Sequence, residues 1–461
     1  MWWRSWCAPS SGQVSFSKSL CKKYASRGTA FARPLVLDSS RTKKVLRMMY
    51  SNYQMIANAM EPLRWWAQQM PSVMQFFGVD PDLPLSRQLN AAYEQAVLSG
   101  LTHSRPPFAI APVQESTGQA VKVTETEVTG SAFCKLVRFR KANARDLPKV
   151  LLVAPMSGHF ATLLRGTVQV LVQDHDVYLT DWVNVRDVPL SDGVFDLDAY
   201  IGEIIGFMQW LGPGAHLMGV CQPTVACLAA ASVMAEDNDA CVPLSLTLMA
   251  GPIDTRINPT VVNKLATTKP IEWFEKNLIA HVPMQFAGAG RKVYPGFVQL
   301  MAFMGMNQQR HNDSFQQLYA LRRDGENDKA NAIKTFYEEY FAVMDLSAPF
   351  YLETVAQVFQ EYRLPQGLLR YRGRSVNPQA LRKTFLLTVE GERDDICGIG
   401  QTLAAHELCS RIPAYMKTHH LQAGVGHYGV FSGKRWAHQI YPVVRSMVQY
   451  AQPRGAALRV A

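Results

Sequence analysis

The stretch His216-Leu-Met-Gly-Val-Cys221-Gln-Pro-Thr-Val-Ala226 decides how this chain is read. Its apolar start predicts a strand over His216–Gly219, and the small-residue run from Thr224 to Ala235 predicts a helix. Between them the chain must turn sharply and lift the Cys221 side chain above the strand end. Gly219 keeps the space beside the turn empty, and Ala226 lets the helix pack closely. The helix N-terminus directs its positive end at the sulfur, which favours thiolate. The amide of Gln222 is placed to bind an oxyanion. This is a strand–nucleophile–helix elbow with Cys in place of Ser, and with Pro223 where Gly is usual. Proline fits a first helical turn, where no donor is required. On the motif alone a buried structural thiol accounts for Cys221 equally well, because so short a pattern recurs by chance.

Outward from the elbow, short apolar runs alternate with helical stretches. Strands are predicted at Lys149–Val153, Asp176–Trp182 and Leu244–Met249, with helices at about 161–173 and at Leu197–Leu211. Such alternation implies a parallel sheet with right-handed crossovers. Upstream, Val121 and Val123, then Phe133, Val137 and Phe139, alternate on either side of Gly130-Ser131 and read as a hairpin. The alternation stops near residue 252. It resumes with a strand at Lys383–Val389, a helix near Gly400–Ser410, a strand near Thr418–Ala423 and a helix near Arg435–Ala451. The organisation expected is a basic, disordered extension over 1–47, a helical segment over 48–118, and a core over 119–251 and 376–461. A mostly helical cap over 252–375 interrupts that core. In the helical segment, Tyr50, Met55, Ile56, Met60, Leu63, Trp66 and Met70 make a broad apolar face, with Pro62 and Pro71 expected to kink or divide it. A second helix is expected at Arg87–Leu98.

Two further residues fall where an elbow nucleophile needs partners. After the strand ending at Val389 comes Glu390-Gly-Glu-Arg-Asp394-Asp395-Ile396, and after the next strand comes Gly424-Val-Gly-His427-Tyr-Gly429. The order nucleophile, acid, histidine is that of the α/β-hydrolases, whose mostly parallel sheet carries helices on both faces. In that arrangement His427 deprotonates Cys221 and protonates the leaving group, while Asp394 holds the imidazole tautomer. Asp395 is the rival acid. The loop Ala154-Pro-Met156-Ser157-Gly-His159 occupies the place of the second oxyanion donor, with Met156 and Ser157 unranked.

Composition removes other classes. The formal charge is +10, but residues 1–47 hold ten basic residues and one acid, so the remainder carries 10 − 9 = about +1. A nucleic-acid surface is therefore not expected on the folded body. No run is long and apolar enough for a membrane span. Eight cysteines, none in a C-x-x-C pair, read as reduced thiols of a cytoplasmic protein. Asp174-His175-Asp176 hints at a metal but falls at a helix-to-strand turn, where polar residues are ordinary. No metal or resident cofactor is expected.

The chain resembles the intracellular poly(3-hydroxybutyrate) and polyhydroxyalkanoate depolymerases, relatives of the polyhydroxyalkanoate synthases. The residues that carry the resemblance are Asp181-Trp182, Gly219-Val-Cys-Gln-Pro223, Gly251-Pro-Ile-Asp-Thr-Arg256 with Asn258–Asn263, and Gly391-Glu-Arg-Asp-Asp395. It extends from about Met49 to the C-terminus. It implies a Cys221–His427–Asp394 triad and a cytoplasmic enzyme at the surface of amorphous storage granules, releasing hydroxybutyrate units or oligomers. Water or coenzyme A is left open as acyl acceptor, and the oligomeric state is not indicated. A synthase, a non-catalytic granule-coating protein and a general small-ester hydrolase remain the competing readings.

Overall fold

A computed structural model of the chain describes residues 39–115, 118–144, 146–306 and 308–453. Most of the extension 1–47 lies outside the described residues. Its described end is helical and continuous with α1, Ser39–Phe76, which therefore starts ahead of Met48.

The centre is an eight-stranded sheet. In chain order its strands are β1 Val123–Gly130, β2 Cys134–Lys141, β3 Lys149–Val153, β4 Asp176–Trp182, β5 His216–Val220, β6 Ser245–Met249, β7 Phe385–Gly391 and β8 Lys417–Gln422. Across the sheet they run β8-β7-β6-β5-β3-β4-β2-β1. All neighbours from β4 to β8 are parallel, and only the β1–β2 and β2–β4 pairs are antiparallel. Every residue of β4, β5 and β6 is buried, which is why these strands read as continuous apolar runs rather than alternating ones.

Helices cover both faces. The Asp196 carboxylate caps α4, Leu197–Leu211, accepting from the Ala199 N–H at 2.8 Å, and Gly212 ends it at φ +77°. Helix α5, Thr224–Glu236, is buried on every side from Thr224 to Met234. Its Ala229-Ala230-Ala231 run lets neighbouring elements approach that closely. A short 3₁₀ turn at Ala161–Leu164 precedes α3, Arg165–Leu171, where one helix was expected.

Between β6 and β7 the chain forms α6 Val261–Thr267, α7 Ile271–Leu278, α8 Gly296–Met306, α9 Gln308–Arg323, α10 Asn327–Tyr340 and α11 Ala348–Thr354. A small antiparallel sheet of Ala280–His281, Lys292–Tyr294 and Leu346–Ser347 stands among them and was not anticipated. Leu300, Leu318, Tyr337, Tyr340 and Phe341 form a second apolar core there, joined by Leu98 from α2, Pro84–Leu98.

Three expectations are corrected. Helix α1 runs unbroken through Pro62 and Pro71. Asn58, whose carbonyl Pro62 leaves without an amide partner, is exposed, so water can satisfy it. The helix expected near Gly400–Ser410 shrinks to Ala405–Leu408, because the backbone before it is tied to Glu390 and Gly400 sits at φ +95°. The last helix is regular only over Tyr441–Ala451 and follows a wider turn at Trp436–Ile440, where Pro442 removes a donor.

Candidate active site

Cys221 follows β5 directly and has φ +67°, a left-handed conformation that costs a non-glycine residue about 1–2 kcal/mol. Strain of this kind persists only where the surroundings fix it, and it clusters at functional positions. Here the Cys221 N–H donates to the carbonyl of Met249, the last residue of β6, at 2.7 Å. The Cys221 carbonyl accepts from the Thr224 N–H at 3.2 Å and the Thr224 hydroxyl at 2.9 Å. Pro223, at φ −66°, caps α5 without needing a donor, and its carbonyl accepts the Cys227 N–H at 2.8 Å.

Two glycines make room for this turn. A Cβ on Gly219 would stand 2.9 Å from the Cys227 sulfur, and one on Gly251 would stand 1.9 Å from the Thr224 hydroxyl. Gly251→Ala is expected to displace Thr224 and the elbow, destabilising the fold by about 1–3 kcal/mol in urea unfolding. Thr224→Ala in the same chain removes the two nearest colliding atoms but keeps its Cβ at 2.5 Å, so it should restore part of that loss. If the double variant is no more stable than Gly251→Ala alone, the close approach is not the cause.

The structure brings Asp394 and His427 together. His427, in the turn after β8, is buried, and its Nδ1 lies 2.8 Å from Asp394 Oδ2. The other carboxylate oxygen accepts the Ile396 and Cys397 N–H groups at 2.9 and 2.8 Å, which fixes the acid's direction. Asp394 is thus the partner of His427, while Asp395 is exposed. Burial alone would disfavour the imidazolium. The charges of Cys221 and Asp394, with hydrogen bonds from both, outweigh burial and hold His427 well above the ordinary imidazole value of 6.5. The thiol, the imidazole and the carboxylate therefore form one connected set.

On the opposite side lies the loop after β3. The Ala154 N–H donates to the Thr180 hydroxyl at 2.9 Å, and Trp182 Nε1 donates to the Ala154 carbonyl at 2.8 Å. The Met156 N–H reaches the elbow, where it donates to the Gln222 side-chain carbonyl at 3.3 Å. The buried Tyr200 hydroxyl donates to that same oxygen at 3.3 Å. Ser157 follows at a half-buried bend. The two candidates for the second oxyanion amide, Met156 and Ser157, thus lie on a loop pinned to Gln222 beside Cys221, and a carboxamide oxygen occupies the Met156 N–H.

Sequence reasoning missed how the acid loop is held. Buried Glu390 accepts the N–H groups of Gly400, Thr402 and Leu403 at 2.8, 2.7 and 3.0 Å. The Thr402 hydroxyl bridges Gly251, accepting its N–H at 2.8 Å and donating to its carbonyl at 3.0 Å. Asn258 donates to the Ile399 carbonyl at 2.7 Å, Thr260 to the Ile396 carbonyl at 3.0 Å, and Gln401 to Asn263 Oδ1 at 2.8 Å. The Gly251–Asn263 block is therefore the brace of the loop that carries Asp394. Glu390, which the sequence placed just past a strand end at Val389, in fact lies within β7.

Asp174, His175 and Asp176 have other partners. Asp174 accepts from the Tyr441 hydroxyl at 2.5 Å, His175 pairs with the Leu171 carbonyl at 3.0 Å, and Asp176 binds the Arg138 guanidinium at 2.6 and 2.9 Å. Among the described residues no group of three or more metal-binding side chains is assembled, and no helix is long and apolar enough to cross a membrane.

Aromatic side chains roof the histidine loop. Phe336 and Tyr340 of α10 stack with centroids 5.3 Å apart, Phe336 meets Tyr428 edge-on at 6.3 Å, and His159 lies 5.2 Å from Tyr340. A cavity of about 240 Å³ opens there, lined by Thr162, Phe336 and Tyr428 among others. A larger one of about 970 Å³ lies between α2 and α10, and neither is lined by Cys221, Asp394 or His427.

The strand order, the antiparallel first pair, and a strained elbow followed by acid and histidine on the next two sheet strands define an α/β-hydrolase. Solved structures similar to this chain include an esterase from Pyrobaculum calidifontis, at 13% identity, TM-score 0.40, and coverage of 84% of this chain and 97% of that one. A thermophilic esterase from Thermogutta terrifontis is similar at 14% identity, TM-score 0.38, with 72% and 100% covered. A 2-hydroxy-6-oxo-6-phenylhexa-2,4-dienoate hydrolase from Rhodococcus sp. strain RHA1 is similar at 12% identity, TM-score 0.39, with 71% and 99% covered. No curated protein matches the chain. Residues 250–452, with Asp394 and His427 among them, match the family described as PHB de-polymerase C-terminus. The protein is a carboxylic ester hydrolase.

Proposed function

We propose that the protein is a cytoplasmic depolymerase of amorphous poly(3-hydroxybutyrate) granules, acting through Cys221, His427 and Asp394. The observation that carries this reading is the convergence of a strained elbow cysteine on a buried His–Asp pair that lies within the depolymerase domain. The Cys221 thiolate attacks an ester carbonyl of the polymer. Negative charge collects on the carbonyl oxygen, which the Gln222 backbone N–H and a Met156 or Ser157 N–H face once the Gln222 carboxamide swings aside. The tetrahedral adduct collapses as the C–O bond breaks, and the proton on His427 goes to the departing alkoxide. The resulting thioester is then attacked by water, which gives a proton to His427. The acid leaves, and the thiolate–imidazolium pair returns.

Incubation with amorphous granules tests this. Soluble 3-hydroxybutyrate or its oligomers are expected without added coenzyme A. Polymer growth from hydroxyacyl-coenzyme A would point to a synthase, and hydrolysis of soluble esters with granules untouched to a general esterase. Product appearing only as a coenzyme A thioester would make the thiol, not water, the acceptor.

The pH profile follows from His427. A neutral-base histidine near 6.5 would give an acid limb there, activity rising with pH. Because His427 is held well above 6.5 by Cys221 and Asp394 against its burial, it keeps its proton to higher pH than a free imidazole does. Its contribution is lost as pH rises through its own value, so kcat/KM should fall on the alkaline side. An acid limb centred near 6.5 that His427 substitution removes would contradict the ion pair.

A further inference from the structure

Helix α1 presents an apolar stripe that is left largely exposed among the described residues, with Trp66 meeting the ring of Tyr93 edge-on at 5.6 Å. Ile56 is 64% exposed, Leu63 53%, Trp65 62% and Phe77 76%, with Met55, Trp66 and Val73 also exposed. Met55, Ile56, Leu63, Trp66 and Val73 share one side of the helix by its 3.6-residue period, over about 27 Å from Met55 to Val73, and Phe77 follows in the turn just past its end. The helix is attached along its other side. Tyr50 bonds Asp345 and Tyr53 stacks on Phe297 at 4.0 Å, while Ala67, at the edge of the stripe, is buried. A contiguous exposed patch of this kind marks an interaction surface.

Its surroundings indicate what it meets. Between Met49 and Phe77 the only charged residues are Glu61 and Arg64, and Arg64 is half-buried. The polar positions beside the stripe are amides and hydroxyls: Asn52, Asn58, Gln68, Ser72 and Gln75, all exposed. Helices that bind anionic lipid carry lysines and arginines in those places. A polyester surface offers methyl and methylene groups with ester carbonyls, hydrogen-bond acceptors without charge. Amide donors and the indole N–H groups of Trp65 and Trp66 suit those acceptors, and the aliphatic and aromatic faces suit the methyls. Resting on the depolymerase reading above, we propose that the α1 stripe from Met55 to Val73 docks the enzyme on the surface of the insoluble polyester, bringing the site to a substrate that cannot diffuse to it.

The test uses the full chain with Cys221→Ala, which leaves the polymer intact during binding. It is sedimented with amorphous poly(3-hydroxybutyrate) granules and, separately, with phosphatidylglycerol vesicles. Ile56→Glu with Leu63→Glu, both exposed and both helix-compatible, is expected to lower granule binding at least about tenfold. The same pair in the chain with Cys221 intact should leave turnover of a soluble ester within about twofold, which shows that the fold is retained. Unchanged granule binding by the pair overturns the proposal, as does equal capture by the vesicles. A wild-type dimer in light scattering that the pair converts to monomer also overturns it, because a second copy then covers the stripe. If granules are cleaved but binding ignores the pair, docking alone fails. If neither cleavage nor binding occurs, the depolymerase reading fails with it.

Discussion

Cys221→Ala is expected to lower turnover of granules and of soluble esters alike by roughly 10⁴-fold or more, with thermal stability nearly unchanged. The two halves of that expectation have separate grounds. On the proposed reading the sulfur is the atom that forms the acyl-enzyme, so residual turnover is what binding and the oxyanion donors supply. The left-handed backbone, at φ +67°, costs alanine about what it costs cysteine, and the bonds that fix it run through backbone atoms and Thr224. Cys221→Ser separates the thiol's chemistry from its shape. A hydroxyl ionises far above neutral pH, so His427 loses the anion that helps hold its proton. Serine is expected to retain the fold and to lose roughly 10²- to 10³-fold in kcat. Rates come from initial velocities and stability from thermal melts. A fully active alanine variant would sink the assignment of the nucleophile.

The frame of the molecule was legible because buried parallel strands announce themselves. Lys149–Val153 and Asp176–Trp182 are found with the ends expected, since both are unbroken runs flanked by turn residues. Asp394 and His427 were legible as a pair for a related reason: each lies just past a strand end in a glycine-containing stretch, although the histidine loop proves to be packed into the core through Val425, Val430 and Phe431. The choice between Asp394 and Asp395 was not legible. It depends on which carboxylate meets the Ile396 and Cys397 amides, a matter of loop geometry rather than residue type. The oxyanion loop was ambiguous for the same reason, because nothing local to Met156 says that its N–H meets a Gln222 carboxamide. The brace formed by Gly251–Asn263 and Thr402 joins segments more than a hundred residues apart, beyond any periodicity. In α1, the apolar pattern was visible but its outcome was not. A helical stripe looks the same whether it faces a core or an outside surface, and the burial of Tyr50 and the stacking of Tyr53 on Phe297 show which side is in.

That geometry makes Asp394→Asn the sharpest test of the triad. The backbone N–H groups of Ile396 and Cys397 hold one oxygen of Asp394, and asparagine keeps an oxygen there, so the loop should stay in place. The other oxygen, now an NH₂ group, would donate toward His427 Nδ1 where the carboxylate accepted from it. The imidazole must then carry its proton on Nε2, toward Cys221, and can no longer remove the thiol's proton. Loss of the carboxylate also withdraws one of the two charges that keep His427 protonated against its burial. In a serine triad the same change costs about 10⁴ in kcat through the wrong tautomer. Here the loss should be somewhat smaller, roughly 10² to 10³, because a thiol ionises more readily than a hydroxyl. The alkaline limb of kcat/KM should also move toward neutral pH, since a His427 without its anion releases its proton sooner. Asp395→Asn, at an exposed position, should leave kcat within about twofold. If the two substitutions cost the same, or if Asp395→Asn is the damaging one, His427 is oriented by something other than the bond at 2.8 Å.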